Sequence, residues 1–489
     1  MKICIAYPAL QGKGSPMLTQ NRQFQWMSLG SYIYPLVPAS AATLLHRDGH
    51  DLLWYDGIAR NLPYEHFLQT MAAEKPDLVV LESKTPVIKL NWQIIGDLKK
   101  ISPDIKVVLL GDHVTAFPME SLASSPVDYV ITGGDYDFSL QGLVDTLQGK
   151  RMTLPGGVYY RRGEKIENSG PFSFKGHKLE SLPFIDRTLT CAHLYFEKWK
   201  KRDPFRYTMA GRDCQWGRCD FCSWTSLYPR FRTRSVDHLL DEIEMLVSEY
   251  GVREIFDDSG NFPAGNWLEK FCHGMIQRGL HRHILFSCNM RFDYLVKRPD
   301  LLPLMKKAGF RKLKSGLESA NQATLDRINK NIRVCDITEG CRLASEAGLD
   351  IQLTVMVGYP WETRIDAQRT LELAGSLMAK GHAEMLQATV IVPYPGTPLF
   401  KRAMDEGWIR FEDPTAWERY DMTEPVFTMP DMSAEEVMKM CSDIYKTFMT
   451  PRFMVRQLLK IRSFEDVDYL LRGGRAIWGH IMDFVKIRA

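Results

Sequence analysis

Five times in the first 150 residues a short apolar run leads into an amphipathic helical stretch; the runs are KICIAYP, DLLWYD, DLVVLES, KVVLLGD and DYVITGG. This alternation constrains the fold more than any other feature of the chain. The runs show little in-and-out periodicity, as strands covered on both faces do, and the helices between them are what cover them. Residues 1–150 are therefore predicted to form a doubly wound, flavodoxin/Rossmann-like parallel sheet, of the kind that binds ligands beyond the carboxyl ends of its strands.

Residues 151–200 break the pattern. LPGGVYYRRGEKIENSG reads as a hairpin and SLPFIDRTLT as an irregular stretch around Pro183, so a linker carrying a hairpin is expected. From about residue 201 the alternation resumes through FRYTMAG, REIFDDS, HILFSCNM, KLKSGLES, IQLTVMVG and MLQATVIV, with helices such as SVDHLLDEIEMLVSEY between them. Six units fall two short of a closed eight-unit barrel, which predicts a partial (β/α)6 TIM-type barrel over 201–400, open on one side. Residues 401–489 read as a helical C-terminal region. Its basic stretch PRFMVRQLLKIR suits either a membrane surface or ordinary packing.

A chain of 489 residues that is 45% hydrophobic and 25% charged can bury a full core. Its 62 basic and 59 acidic residues, net +3, show none of the electropositive bias of a nucleic-acid binder. No apolar run approaches the roughly 20 residues that span a bilayer, and MKICIAYPAL reads as a first strand rather than a signal peptide. A cytoplasmic, reducing location is expected, where clustered cysteines more often bind metal or do chemistry than form disulfides.

Of the ten cysteines, only Cys214, Cys219 and Cys222, in GRDCQWGRCDFCSW, have ligand-type spacing, C-x4-C-x2-C. They follow the first barrel strand, at the end of the barrel where chemistry is done. Three clustered cysteines admit four readings: a zinc site closed by remote Cys191 or His193, a catalytic zinc with water, an iron-sulfur cluster with one iron left open, or a loop with no metal.

In these residues the chain resembles the radical S-adenosylmethionine (SAM) enzymes, whose cluster loop carries three cysteines with an aromatic residue just before the last. The resemblance implies a [4Fe-4S] cluster on Cys214, Cys219 and Cys222, an open iron chelated by SAM, and a 5'-deoxyadenosyl radical that abstracts hydrogen. The family's usual spacing is C-x3-C-x2-C. The extra residue here is expected to form a small bulge near Gly217 with the sulfurs still converging. Phe221 would sit against the adenine, and Trp216 would pack within the loop.

Other segments resemble the family in the same order. IFDDSGNF resembles the segment that holds the SAM amino group, with Asp257, Asp258 and Ser259 as acceptors, or with Asp258 or Ser259 capping a helix instead. KSGLESANQATLDRINKNI resembles the fourth-strand segment and would bring Glu318 and Ser319 near the ribose or methionine moiety, unless Glu318 forms an ion pair. VMVGYPWET, with Gly358, Pro360 and Glu362, resembles the turn beside the adenine, and VPYPGTPLF the turn after the sixth strand. Arg291, in CNMRFD, would pair with the SAM carboxylate or with a carboxylate of the chain.

A doubly wound domain ahead of such a barrel resembles the cobalamin-binding subfamily. LLGDHVTAFP and DYVITGGDYDFSLQGLVDTL look like its strand ends, where small residues let the backbone approach the corrin and its tail; Gly111, His113, Thr115, Gly133 and Gly134 are the implied cobalamin contacts. No D-x-H-x-x-G motif occurs and residues 8–34 contain no histidine, so no axial histidine is expected from that loop. The loop QGKGSPMLTQNRQFQW is expected to cover the corrin.

The resemblance covers about residues 1–400 and implies a cobalamin-dependent methyltransferase acting on an unactivated carbon or phosphorus. Its partners would be a small-molecule substrate, such as a lipid, tetrapyrrole or natural-product intermediate, and an electron donor such as flavodoxin or ferredoxin. The subfamily also holds ring-forming, ring-contracting and oxidative enzymes, and a non-catalytic cobalamin or cluster sensor is a further class. A methylthiotransferase carries a second cluster on three N-terminal cysteines, and only Cys4 lies in the first 190 residues here.

Overall fold

The structure is a computed structural model that describes residues 1–17, 23–28 and 30–485. The apolar runs of the first 150 residues form strands β1 (Lys2–Tyr7), β2 (Asp51–Asp56), β3 (Leu78–Ser83), β4 (Lys106–Gly111) and β5 (Tyr129–Ile131). They pair in parallel in the order β2-β1-β3-β4-β5, a flavodoxin-like sheet whose winding reverses between β1 and β3. All six residues of β3 and five of β4 are buried. Their Val and Leu side chains divide between two cores, one under helices Leu36–Arg47 and Tyr136–Leu147, the other under Tyr64–Glu74 and Ile88–Ile101.

The hairpin expected after residue 151 is present as β6 (Val158–Arg162) and β7 (Lys165–Asn168). It pairs antiparallel with β5 and so widens the first sheet.

The second sheet contains β8 (Phe205–Thr208), β9 (Glu254–Asp257), β10 (Leu285–Asn289), β11 (Phe310–Glu318), β12 (Asp350–Val357) and β13 (Met385–Val390), all parallel and in chain order. With β8 and β13 as its two edges, it is the expected open (β/α)6 barrel. Helix Val236–Tyr250 shows how the connecting helices are delimited: the Ser235 hydroxyl accepts from the His238 amide at its start, and Gly251 takes a left-handed φ of 60° at its end.

The amino end of the barrel is plugged by residues 195–202. Buried Lys312 pairs with Glu197 at 2.5 Å, and Arg311 donates to both Glu254 and the Trp199 carbonyl at 2.7 Å. Glu254 also accepts from the amides of Lys201 and Arg202. Charges this deep are tolerated because each has its counter-charge and hydrogen bonds. Beyond residue 400 the chain is mainly helical, with helices Ala434–Asp443, Pro451–Leu459 and Phe464–Val485.

The loops at the carboxyl ends of the first sheet meet those of the barrel. Tyr228 donates to the Gly134 carbonyl at 2.9 Å, the Gly134 amide donates to the Leu227 carbonyl at 3.0 Å, and Trp417 donates to Glu120 at 2.8 Å.

Candidate active site

The three clustered cysteines lie in a loop closed at its base by a two-residue antiparallel ladder, Gly211–Arg212 against Arg232–Thr233. Inside it, the Asp220 amide donates to the Ile328 carbonyl at 3.0 Å, and the Asp220 carbonyl accepts from the Leu399 amide at 2.9 Å. Trp216 packs as expected: its indole donates to the Asn329 carbonyl at 2.8 Å, with the guanidiniums of Arg218 and Arg291 within 5.4 Å of its ring. Gly217 adopts a left-handed φ of 55°, which suits the extra residue of the first gap to glycine.

The base of the loop is tied to the first domain. Buried Arg212 donates to both oxygens of Asp137 and, at 2.9 Å, to Asp135. Asp135 also accepts from Arg232 at 2.7 Å and from His177 at 2.8 Å. Burial alone would raise the Asp135 carboxyl, but the His177 hydrogen bond and the two guanidiniums hold it well below the usual range.

Cys214, Cys219 and Cys222 line one cavity of about 170 Å³ at the carboxyl ends of the barrel strands, together with Phe221, Arg291, Lys314, Glu318 and Lys330. Burial pushes the Cys219 thiol up to about 11, while Lys330 and Arg291 oppose that rise. Glu318 ends β11 with a left-handed φ of 59° and meets Lys330 at 2.7 Å. Gly316 makes this possible, because a Cβ there would lie 1.9 Å from the Glu318 carboxylate. The Lys330 ammonium is 5.8 Å from the centre of the Phe221 ring. Arg291 is held by Asp293 at 3.0 Å and by the Lys330 carbonyl at 2.8 Å, so its ion pair lies within the chain.

The segment after β9 is arranged differently from the sequence expectation. Asp257 points away from the cavity and accepts from the Thr208 hydroxyl, the Ala210 amide and both the amide and hydroxyl of Ser259, at 2.6–3.1 Å. Burial raises its carboxyl and these donors counter the rise. Ser259 is engaged in turn by the Gly211 amide at 3.0 Å, and the Asp258 amide donates to the Thr208 carbonyl. Neither Asp258 nor Ser259 caps a helix; the next one starts at Asn266, after Gly265. The cavity wall here is Gly260, whose amide donates to Asp213 and whose Cβ would collide with that carboxylate. Ser319 also turns inward, donating to Glu362 at 2.6 Å. Gly358 takes φ 88° beside Val390 and Val437, outside the cavity lining.

In the first domain, Gly111, Thr115 and Gly133 form one ledge. The Thr115 hydroxyl donates to the Gly111 carbonyl at 2.7 Å and accepts from the Gly133 amide at 3.1 Å. At Gly111, with φ 136°, a Cβ would lie 2.0 Å from the Ser83 carbonyl. The Phe172 ring packs over Gly133 and the Tyr228 ring over Gly134. His113 is buried with both nitrogens engaged, by Thr85 at 3.2 Å and Glu120 at 2.9 Å. Residues 18–22 of the loop expected to cover a corrin lie outside the described residues. Its later part reaches the barrel: Gln23 lines the cavity, and the Phe24 amide donates to Tyr394 at 3.1 Å.

Among the described residues, no group of three His, Cys, Asp or Glu side chains is arranged around a single metal ion. A zinc ion draws its thiolates within about 2.3 Å of one centre, whereas an iron-sulfur cluster spreads them. Three thiols on one cavity wall, with cations beside them, are a donor set that a thiolate-held cluster can use. Sequence reasoning missed Asp213, Lys314, Lys330 and Tyr394. Lys314 left a signal, a charge on the inward-facing alternation of β11; Lys330 left none, because a loop folded back from beyond the strand brings it in.

The sequence model of the Radical SAM superfamily matches residues 210–374, which contain the cysteine loop and β9 to β12. An uncharacterized methyltransferase of Pyrococcus horikoshii is 25% identical over 88% of this chain and 91% of its own length. An anaerobic magnesium-protoporphyrin IX monomethyl ester cyclase of Cereibacter sphaeroides is 24% identical over 81% of this chain and 64% of the relative. Among solved structures, the radical SAM methyltransferase TsrM of Kitasatospora setae, with cobalamin and a [4Fe-4S] cluster bound, superposes with a TM-score of 0.67 at 14% identity, covering 100% of this chain and 99% of that one. Residues 210–374, with the three-cysteine loop among them, thus match the radical SAM superfamily, and the chain as a whole shares the fold of that methyltransferase.

Proposed function

We propose that the chain is a cobalamin-dependent radical SAM enzyme that methylates an unactivated carbon or phosphorus of a large, partly apolar small molecule. The observation that carries this reading is the convergence of three thiols and the cations Arg291, Lys314 and Lys330 on one cavity at the carboxyl end of the barrel. Bound there, the cluster, SAM and cobalamin would supply the electron, the radical source and the methyl carrier, chemistry that no side chain offers.

The chain's own residues would position these groups and keep water away. Cys214, Cys219 and Cys222 hold the cluster. Arg291, Lys314 and Lys330 offset thiolate charge and offer donors to the SAM carboxylate. Glu318, fixed by Lys330, and the backbone at Gly260 lie where an ammonium and ribose hydroxyls can be received. Phe221 offers a face to the adenine. Asp257, Asp258, Ser259, Ser319 and Gly358 shape these walls from behind. The ledge of Gly111, Thr115 and Gly133 would receive part of the cobalamin. Gly134 serves the domain contact, and His113 is committed to Thr85 and Glu120 rather than to cobalt.

Met356, Val390, Ile391 and Val392 give the cavity an apolar wall, which supports a partly apolar substrate. The cyclase relative, named for a magnesium-porphyrin ester, makes a tetrapyrrole one candidate. Gln215, Gly217 and Arg218, exposed on the outer side of the loop, would face an electron donor such as flavodoxin or ferredoxin.

Product analysis of anaerobic turnover tests the reading. S-adenosylhomocysteine together with 5'-deoxyadenosine supports methylation. 5'-Deoxyadenosine alone transfers support to cyclisation or rearrangement, the second reading, which the similarity to the cyclase favours. Neither product with any candidate substrate removes the enzyme reading and leaves a sensor.

A further inference from the structure

The two helices Pro451–Leu459 and Phe464–Val485 lie across the amino end of the barrel, opposite the cavity. The inner face of the first is fixed by ion pairs from Arg456 and Lys460 to Glu384, at 3.3 and 2.9 Å, next to the start of β13. The second is fixed by Arg202 and Arg253 to Glu465 and by Lys201 to Asp466. What these helices turn outward is apolar. On the first, Met454, Val455, Leu458 and Leu459 are 53–66% exposed. On the second, Phe464, Val467, Leu471 and Trp478 recur at helical spacing along the outer side, with Phe464 93% exposed. Surface helices ordinarily point such residues at the core.

The charges around this face are positive. Arg452, Arg462 and Arg475 are exposed beside the apolar residues. The acidic residues Glu465, Asp466 and Asp468 are each engaged by a basic partner, the last by Arg472 at 2.7 Å. No helix among the described residues is long and apolar enough to cross a membrane, so a bilayer could be met only by lying on it.

We propose that the outward faces of these two helices dock the protein on an anionic lipid bilayer. Leu458, Leu459, Phe464 and Trp478 enter the interfacial region, and the arginines contact lipid phosphates. Charge complementarity selects this occupant. A second copy packed on the same face about a two-fold axis would set one positive rim against another, whereas phosphatidylglycerol supplies the opposite charge. Docking through the amino end of the barrel leaves the mouth of the cavity uncovered.

Flotation of the full-length, cluster-reconstituted protein with vesicles tests the proposal. Vesicles of phosphatidylcholine and phosphatidylglycerol in equal parts should carry the protein upward, and pure phosphatidylcholine should carry much less. Leu458→Glu with Leu459→Glu should weaken binding by at least about tenfold, and Arg452→Gln or Arg475→Gln by about fivefold each, with unchanged circular dichroism. Because these side chains face solvent, the variants should fold; Arg475→Gln, the mildest, keeps the test open if the double variant does not. Failure of the parent protein to float with either vesicle overturns the proposal. So does binding indifferent to both sets of substitutions, or a dimer in light scattering that the double leucine variant dissociates.

Discussion

At the carboxyl end of the barrel, thiols and cations face a cavity of about 170 Å³; at the carboxyl end of the first sheet, polar groups close on one another. There Tyr7 donates to Glu82 at 2.6 Å, Lys84 pairs with Asp112 at 3.2 Å, and His113 is held between Thr85 and Glu120. Both ends are the kind of crevice where parallel sheets bind ligands. The difference lies in what the strand ends carry. Gly260 and Gly316 remove side chains at the barrel end, so Asp213 and Glu318 fold back against the wall and the cavity stays clear. At the first sheet, aromatic and charged residues fill the space beside the ledge of Gly111, Thr115 and Gly133. The barrel end is thus arranged for its ligands in advance, and the first sheet holds a buried network whose charge state depends on pH.

The sharpest way to break this contrast is to replace Cys214, Cys219 and Cys222 together with Ala. Anaerobic reconstitution should then give none of the visible charge-transfer absorption of a cluster and no SAM cleavage, with the fold retained by circular dichroism. A reconstituted cluster in that variant would remove the assignment. Next in size is the tie between the two ends. Arg212→Leu leaves Asp137 buried without its guanidinium, while Asp135 keeps Arg232 and His177, which should cost about 3–5 kcal/mol in chemical denaturation. A loss below about 1 kcal/mol would mean that water replaces the guanidinium at Asp137.

The first sheet should reveal itself by pH. Burial raises the Glu82 carboxyl to about 7 from an ordinary value of 4.5, against the pull of Lys84 and the Tyr7 hydrogen bond. The unfolded chain loses that proton above about 4.5, while the folded protein keeps it until about 7. Its contribution to stability is therefore whole below the lower value and is lost as pH rises through the upper one. The advantage of Glu82→Gln over the parent should grow by up to ~3 kcal/mol across that window. An equal difference at all pH values would show an ordinary carboxyl. The smallest expected effect is at Lys314, which lines the cavity. Lys314→Met should weaken SAM binding by about tenfold, as loss of one charged hydrogen bond would, while changing stability by less than about 0.5 kcal/mol.

Most of the fold was legible because a strand buried on both faces needs an unbroken apolar run, and each of the eleven runs became a parallel strand. The thiols were legible from spacing alone. The direction of individual carboxylates was not. Asp257 and Ser259 read as ligand acceptors, but the chain between β8 and the cysteine loop offers them amides and hydroxyls at closer range, and local donors win. Lys330 escaped notice because its place beside Cys219 and Glu318 depends on the path of a loop, which no periodicity encodes. Asp135 and Asp137 read as part of a strand-end segment; only the meeting of two domains turns them toward Arg212.

That meeting bears on modularity. A barrel cut free near residue 201 would keep its three thiols and lose the carboxylates that receive Arg212 and Arg232 at the base of their loop. The cysteine loop is therefore not a transplantable cassette. Any chimera that joins this barrel to a different N-terminal domain must bring acidic residues to the places of Asp135 and Asp137, or a hydrophobic replacement for both arginines.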